Sequence, residues 1–224
     1  KMSKSLGNSP DPLGLIDKYG ADGVRVGMLL SSPAGNDLLF DESYCEQGRN
    51  FANKVWNAFR LIKGFEVDAS IKQPEAANVS IEWFENRLYE QLDVINDHYN
   101  KYRMSDALMA TYKLVWDDFC AWYLEAIKPE FINGKAQPID KITYDATILF
   151  LESLLKIMHP WMPFLTEEIW HMTNPRDEMD CIILAQWPET KKQSAETLKA
   201  FEVVKEIVAQ VRTIRQQKNI SPKE

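Results

Sequence analysis

The residues best suited to chemistry stand at the start of the sequence, in Lys1-Met2-Ser3-Lys4-Ser5-Leu6-Gly7-Asn8. Two lysines three positions apart, two serines and a glycine predict a short cationic loop with many hydroxyl and backbone donors. Such a loop suits a polyphosphate, because its ammonium groups can follow negative charge as it develops during reaction. A Lys/Ser-rich terminus without chemistry has the same composition, so residue types alone leave both readings open. Other chemistries find less support. Cys45, Cys120 and Cys181 lie far apart and form no Cys-x-x-Cys pair, which argues against a disulfide framework or a thiolate zinc site. His159, His171 and Cys181 can be drawn as a metal site, but their spacing matches no zinc pattern, and no metal is expected. Asp117-Asp118 is a pair on a helix face that implies no cleft, and no Ser/His/Asp arrangement can be supported.

The elements that would position these residues are mostly helical. Leu13–Leu30 carries two short helical patterns broken at Tyr19-Gly20, and Asp37–Phe40 is short and apolar enough for one edge strand. From Asp41 onward the apolar period is that of a helix. The first long one runs from Asp41 as N-cap to Lys63, with Gly64 as its stop, and Tyr44, Phe51, Val55, Phe59 and Ile62 form its apolar face. Residues 65–79 read as a polar linker. A second helix starts near Ser80 and buries Phe84, Leu88, Leu92, Ile95, Tyr99 and Tyr102. A third opens at Ser105-Asp106, buries Leu108, Tyr112, Val115, Phe119 and Trp122, and ends before Pro129. Asn133-Gly134 and Pro138 mark a loop. Tyr144–Met158 is a fourth helix, a short one follows Pro163, and Cys181–Ala185 is a second candidate strand. The last helix spans 194–219 with Leu198, Phe201, Val204, Ile207, Val208, Val211 and Ile214 as its apolar residues. These amphipathic segments predict a mainly α protein: an antiparallel helical bundle over 44–224, preceded by a small mixed α/β segment over 1–43.

Composition narrows the class. Hydrophobic residues are 45% and charged residues 26% of the 224 residues, close to soluble averages, so wholesale disorder and a collagen-like chain are excluded. No apolar run approaches the roughly 20 residues of a membrane span. No signal-peptide core follows the N-terminus, and cysteine usage points to a reducing cytoplasmic setting. A net charge of −7 weakens the case for a wholly basic RNA-binding surface without excluding local patches. Absence of an initiator Met and an end directly after a helical pattern lead us to expect a piece of a longer protein.

The opening eight residues resemble the KMSKS motif, in its long form, of class I aminoacyl-tRNA synthetases. Asp11-Pro12-Leu13, Tyr19-Gly20-Ala21-Asp22 and Arg25 are similar to that family as well. Asn36–Glu42, Gly48–Ala58, Asp118–Glu125, Lys128-Pro129, His159–Trp170 and Val211–Arg215 resemble its valyl branch within the valyl/isoleucyl/leucyl subgroup. The isoleucyl branch shares the loop and bundle but departs at Asn36–Asp41 and Phe119–Glu125. The resemblance covers nearly the whole chain and is weakest over 65–79 and 171–180.

What the resemblance implies is specific. Residues 1–43 would be the motif loop and stem-contact segment, and the helices would bind the anticodon. Lys1 and Lys4 would be catalytic, approaching the ATP phosphates, with Met2, Ser3 and Ser5 also at the ATP site. ATP with Mg2+, valine and tRNA(Val) would be used by an intact, monomeric ligase. No cofactor is expected on this piece, which has no His-x-Gly-His and no Gly-rich nucleotide turn and is expected to be inactive alone. The first long helix presents Arg49, Asn53, Asn57 and Arg60 opposite its apolar sector, with Asn50, Lys54 and Leu61 beside them. Asn is a poor interior helix former, so this density asks for a reason: contact with unstacked bases and phosphates, or ties to the preceding segment. The resemblance favours the anticodon for Lys54, Asn57, Arg60 and Leu61, and adds Leu124 and Glu125 at the end of the third helix. Leu61 stands where the family often has an aromatic, a departure that bears on base stacking. Lys205, Arg212, Arg215 and Lys218 form a basic stripe on the last helix, of which Arg212 and Arg215 are the expected backbone contacts. The rival from another class is a helical protein-interaction bundle without RNA binding.

Overall fold

A computed structural model describes residues 5, 9–32, 35 and 39–221. Two short helices, α1 (Pro12–Tyr19) and α2 (Ala21–Leu30), open the described chain and are separated by Gly20, whose φ of 75° suits glycine. The long α3 (Glu42–Lys63) starts where Asp41 accepts a hydrogen bond from the Ser43 N–H and stops at Gly64. Its predicted row Phe51, Val55, Phe59 and Ile62 is buried, whereas Tyr44, one turn in from the cap, is exposed.

The close contact between α2 and α3 is made by backbone. A Cβ on Gly27 would lie 2.6 Å from the Cys45 nitrogen and 2.7 Å from its Cα. A Cβ on Gly48 would run into the Gly23 carbonyl oxygen and stand 3.0 Å from the Gly23 Cα. Only glycine lets these two helices approach so far, and Leu15, Tyr19 and Cys45 seal the adjoining pocket of core.

The bundle is completed by α4 (Glu75–Asn100), α5 (Met104–Lys113), a π-helical stretch (Leu114–Tyr123) that runs into the single turn α6 (Leu124–Ala126), α7 (Lys141–Met158), α8 (Pro163–Thr173) and α9 (Ala195–Gln217). Phe84, Leu88, Leu92 and Ile95 of α4 meet Phe119, Tyr123, Phe150 and Leu154 in one continuous core. The chain is thus mainly helical with little strand. Val67–Asp68 (β1) pairs in parallel with Ile139–Asp140 (β4), and Phe131–Ile132 (β2) pairs with Lys135–Ala136 (β3) across Asn133-Gly134. Both turn residues have positive φ, 52° and 78°, the turn that Asn-Gly favours.

Several expectations need correction. The linker is shorter than 65–79, because α4 begins at Glu75 directly after Pro74. Tyr102 lies past the end of α4 at φ 55° and is 82% exposed. Cys181–Ala185 is no strand: Ile182–Leu184 forms a 3-10 turn that buries Ile182 and leaves Ile183 and Leu184 in solvent. An apolar run without a partner strand has no ladder to join. The strand expected at Asp37–Phe40 lies partly outside the described residues, and Leu39 and Phe40 carry no strand. On α9 only Phe201 is buried, stacked on Trp83 of α4 at 3.8 Å, while Val204, Ile207, Val211 and Ile214 are exposed.

Two side chains of α2 latch the start of α8. Asp22, itself buried, accepts from the backbone N–H groups of Phe164 at 3.3 Å and Leu165 at 2.7 Å. Burial raises its carboxyl above the ordinary range, and those two bonds work in the opposite direction. Arg25 donates to the carbonyls of Pro160 and Trp161 at 3.0 and 3.3 Å. The α2–α3 contact yields a direct test: Gly27→Ala and Gly48→Ala should each lower stability by about 1–3 kcal/mol through overpacking, read as a lower urea midpoint. Gly64→Ala, whose Cβ would meet only its own helix's end, should cost less.

Candidate nucleic-acid interface

The polar side of α3 faces the end of the π-helical stretch. That stretch runs for ten residues, and the Leu124 N–H bonds to the Phe119 carbonyl five positions back. Such widened turns recur at functional sites because they displace side chains from their α-helical places. Here Cys120, Leu124 and Glu125 come opposite Lys54, Asn57, Ala58 and Leu61 around a hollow of about 130 Å3. Leu124 is 2% exposed and makes the floor. Asn57 is exposed, and Lys54 and Leu61 are half-buried. The Lys54 ammonium stands 5.4 Å from the Trp116 ring centroid, and Trp116 is stacked on Tyr112 at 5.4 Å. Burial pushes the Cys120 thiol up to about 12, with the Lys54 charge opposing the shift, so Cys120 remains an apolar wall at neutral pH.

Glu125 also borders a second, larger groove of about 560 Å3 between α4, Trp122 and α9. Its walls include Val79, Phe201, Val204 and Val208, and Arg212 closes one end with its guanidinium 5.6 Å from the Trp122 ring. Glu125 itself is exposed and pairs with Lys128 at 2.6 Å.

Five of the expected contact residues therefore meet at one hollow: Lys54, Asn57, Leu61, Leu124 and Glu125. Arg60 is exposed near the same end of α3 but does not line it. Arg49 and Asn50 belong to the other end of the helix. About 18 Å of helix axis separates position 49 from position 61. Arg49 pairs with Glu46 at 3.3 Å and lies 5.5 Å from the Tyr19 ring of α1, whereas Asn50 and Asn53 are exposed.

The basic stripe of α9 divides. Lys205 is withdrawn from it, pairing with buried Asp118 at 3.1 Å and lying 4.8 Å from the Trp83 ring. Arg87 holds the other Asp118 oxygen at 2.9 Å, so one carboxylate ties α4, the π-helical stretch and α9 together. Arg215 donates to the Ser221 carbonyl, and Arg212 remains exposed at the groove. Lys1, Met2, Ser3 and Lys4 lie outside the described residues; Ser5 is described and exposed. Trp116 and Cys120 were not among the residues expected at this surface. Their signal was available as spacing: 116, 120 and 124 recur every four residues, which places them along one face.

Residues 82–224 match the family model for the anticodon-binding domain of tRNA ligase, and residues 1–41 match that for tRNA synthetases class I (I, L, M and V). The chain belongs to the anticodon-binding domain family of tRNA ligases. Among its relatives, a valine–tRNA ligase of Christiangramia forsetii is 58% identical over 221 residues, which is 99% of this chain and 25% of that one. The valine–tRNA ligase of Parabacteroides distasonis is 56% identical over all of this chain and 25% of its own length. The chain thus spans about a quarter of the length of these curated relatives. A LeuRS chain in the crystal structure of a LeuRS-tRNA-LeuAMS ternary complex from Agrobacterium radiobacter K84 shares the fold, with a TM-score of 0.56 at 20% identity over 88% of this chain and 22% of that one. No helix among the described residues is long and apolar enough to cross a membrane.

Interface residues and framework residues should separate in stability measurements. Asn57→Ala removes an exposed group and should change the unfolding free energy by no more than about 0.5 kcal/mol, and Lys54→Ala, which also gives up the contact with Trp116, by no more than about 1 kcal/mol. Asp118→Ala removes the shared partner of two half-buried cations, which keep only Glu90 and Glu202, and should cost about 1–3 kcal/mol.

Proposed function

We propose that this chain is the tRNA-reading part of a valine–tRNA ligase, together with the loop that contacts ATP. The whole enzyme would convert ATP, L-valine and tRNA(Val) to valyl-tRNA(Val), AMP and diphosphate in the cytoplasm. The observation that carries the reading is the hollow where Lys54, Asn57 and Leu61 of α3 meet Leu124 and Glu125. More than half identity to valine–tRNA ligases over essentially the whole chain supports the choice of amino acid.

Single-stranded anticodon loops are read by side chains that meet unstacked bases on their edges. Asn57 offers both a donor and an acceptor to such an edge, and the Glu125 carboxylate can accept from an exocyclic amino group. Leu61 and Leu124 supply an apolar wall and floor that exclude water from the contact. Lys54 and Arg60 neutralise the neighbouring phosphates, and Trp116 keeps the Lys54 ammonium in place. Arg49 and Asn50 occupy the end of α3 beside α1, a position suited to the stem rather than the loop. Arg212 and Arg215 are assigned to the backbone farther along the RNA. Residues 1–43 form the loop and stem-contact segment and 44–224 the reading bundle.

ATP, with Mg2+, supplies the anhydride bond whose cleavage activates the carboxyl group of valine. Lys1 and Lys4 are assigned to its phosphates, with Met2, Ser3 and Ser5 in support. An ammonium that meets the departing diphosphate better than the ground state would lower the barrier.

Fluorescence anisotropy with labelled tRNA(Val), at about 50 and 200 mM salt, tests the reading. Binding should weaken steeply with salt, and a tRNA altered at its central anticodon base should bind less well. Lys54→Ala or Arg60→Ala should reduce the salt slope by about 1 and weaken binding severalfold. Equal affinity for both RNAs would contradict base reading by this bundle. Binding without salt dependence, or none, would favour a protein-interaction bundle.

A further inference from the structure

A second constellation shares no residue with the hollow and lies where α8 meets the chain that follows it. Glu167 and His171 stand one helical turn apart on the same face of α8, with Glu167 Oε1 3.2 Å from His171 Nε2. Beyond Thr173 the chain doubles back, and the Trp170 indole N–H fixes its return by donating to the Asp180 carbonyl at 3.0 Å. Cys181 is thereby delivered to the pair. The imidazole nitrogen, the carboxylate oxygen and the Cys181 sulfur all lie within 4.8 Å of one another. Glu167 Oε1 also accepts from the Ile182 N–H at 3.1 Å, so the carboxylate is tied to the backbone next to the thiol.

We infer that Glu167, His171 and Cys181 form a binding site for a zinc-class divalent transition metal. The donor set decides the class. Imidazole and thiolate suit Zn2+ and its spectroscopic stand-in Co2+, whereas Mg2+ and Ca2+ prefer oxygen ligands. Tetrahedral zinc with bonds of about 2.0 Å to nitrogen or oxygen and 2.3 Å to sulfur has ligand–ligand edges of about 3.3–3.5 Å. The oxygen–nitrogen edge is already 3.2 Å, and the sulfur needs to close by about 1–1.5 Å, within reach of a rotamer change. All three residues are half-buried, so a cation can enter, in contrast with buried Cys45 and Cys120. Two further acids, Asp177 and Glu178, are exposed on the returning segment, while Arg176 lies over Trp170 and is shared between Glu152 and Asp180. Three protein ligands leave the fourth position to water. Binding takes the proton from the Cys181 thiol and releases it to solvent, uses His171 in its neutral form, and replaces the Glu167–His171 hydrogen bond with two metal bonds. The bound ion pins residues 174–181 to α8.

Co2+ titration of the 224-residue chain under reducing conditions tests this. A thiolate-to-cobalt charge-transfer band should grow to one equivalent, with proton release and stronger binding at higher pH, and should be displaced by Zn2+ but not by Mg2+. Cys181→Ser should abolish the band, and His171→Gln should weaken binding about tenfold or more, with far-UV circular dichroism unchanged in both because the side chains are half-exposed. A band that persists in Cys181→Ser, or no band at one equivalent of Co2+ in the folded protein, would overturn the site. Neither result bears on RNA binding.

Discussion

The backbone contact between α2 and α3 is the constraint on which the arrangement depends. Gly27 on one helix, which meets Cys45, and Gly48 on the other, which meets Gly23, bring the helices to a separation at which a Cβ at either position would force them apart. At that separation α3 cannot roll. Its row Phe51, Val55, Phe59 and Ile62 is committed to the core, and Lys54, Asn57 and Leu61 are committed to the face opposite the π-helical stretch. The same α2 carries Asp22 and Arg25, which hold the start of α8 by four backbone bonds. One ten-residue helix thus joins α1 both to α3 and to the rest of the bundle. A rigid connection of this kind lets contacts at one end set the register at the other.

The opposite wall of the hollow is held by different means. Asp118 sits in the π-helical stretch with Arg87 and Lys205 on its two oxygens, and Tyr123 bonds Thr147 across the core at 2.7 Å. A buried carboxylate between two cations is costly to desolvate and costly to break. Its consequence here is positional: the stretch that contributes Cys120, Leu124 and Glu125 is anchored on both flanks. Lys205, a member of the basic stripe by sequence pattern, is spent on this framework. Charge on a helix face does not reveal whether a buried acid waits opposite.

Much of the fold was legible because its signals were local. Asp41 and Gly64 bounded α3 through capping, and Asn133-Gly134 marked a tight turn through its tolerance of positive φ. What failed depended on distant partners. The apolar run at Cys181–Ala185 looked like a strand, but no segment among the described residues offers it a ladder. β1 and β4 are two-residue pairings set by where the chain happens to pass. The apolar stripe of α9 predicted burial, and only Phe201 finds an aromatic partner. The π-helical stretch had no signature in periodicity. For the site, residue types on α3 were readable, whereas its far wall rested on the family resemblance, and the approach of Glu167 to Cys181 depended on a chain reversal that spacing does not encode.

We propose that α3 and the end of the π-helical stretch make one rigid surface for the anticodon loop. The most direct measurement is the backbone amide NMR spectrum of the 15N-labelled chain, recorded with and without an isolated valine anticodon stem-loop. We expect shifts concentrated at Lys54, Asn57, Arg60, Leu61, Leu124 and Glu125, with the amides of α8 unchanged. Shifts confined to α9 and the groove beside Trp122, with 54–61 silent, would contradict it.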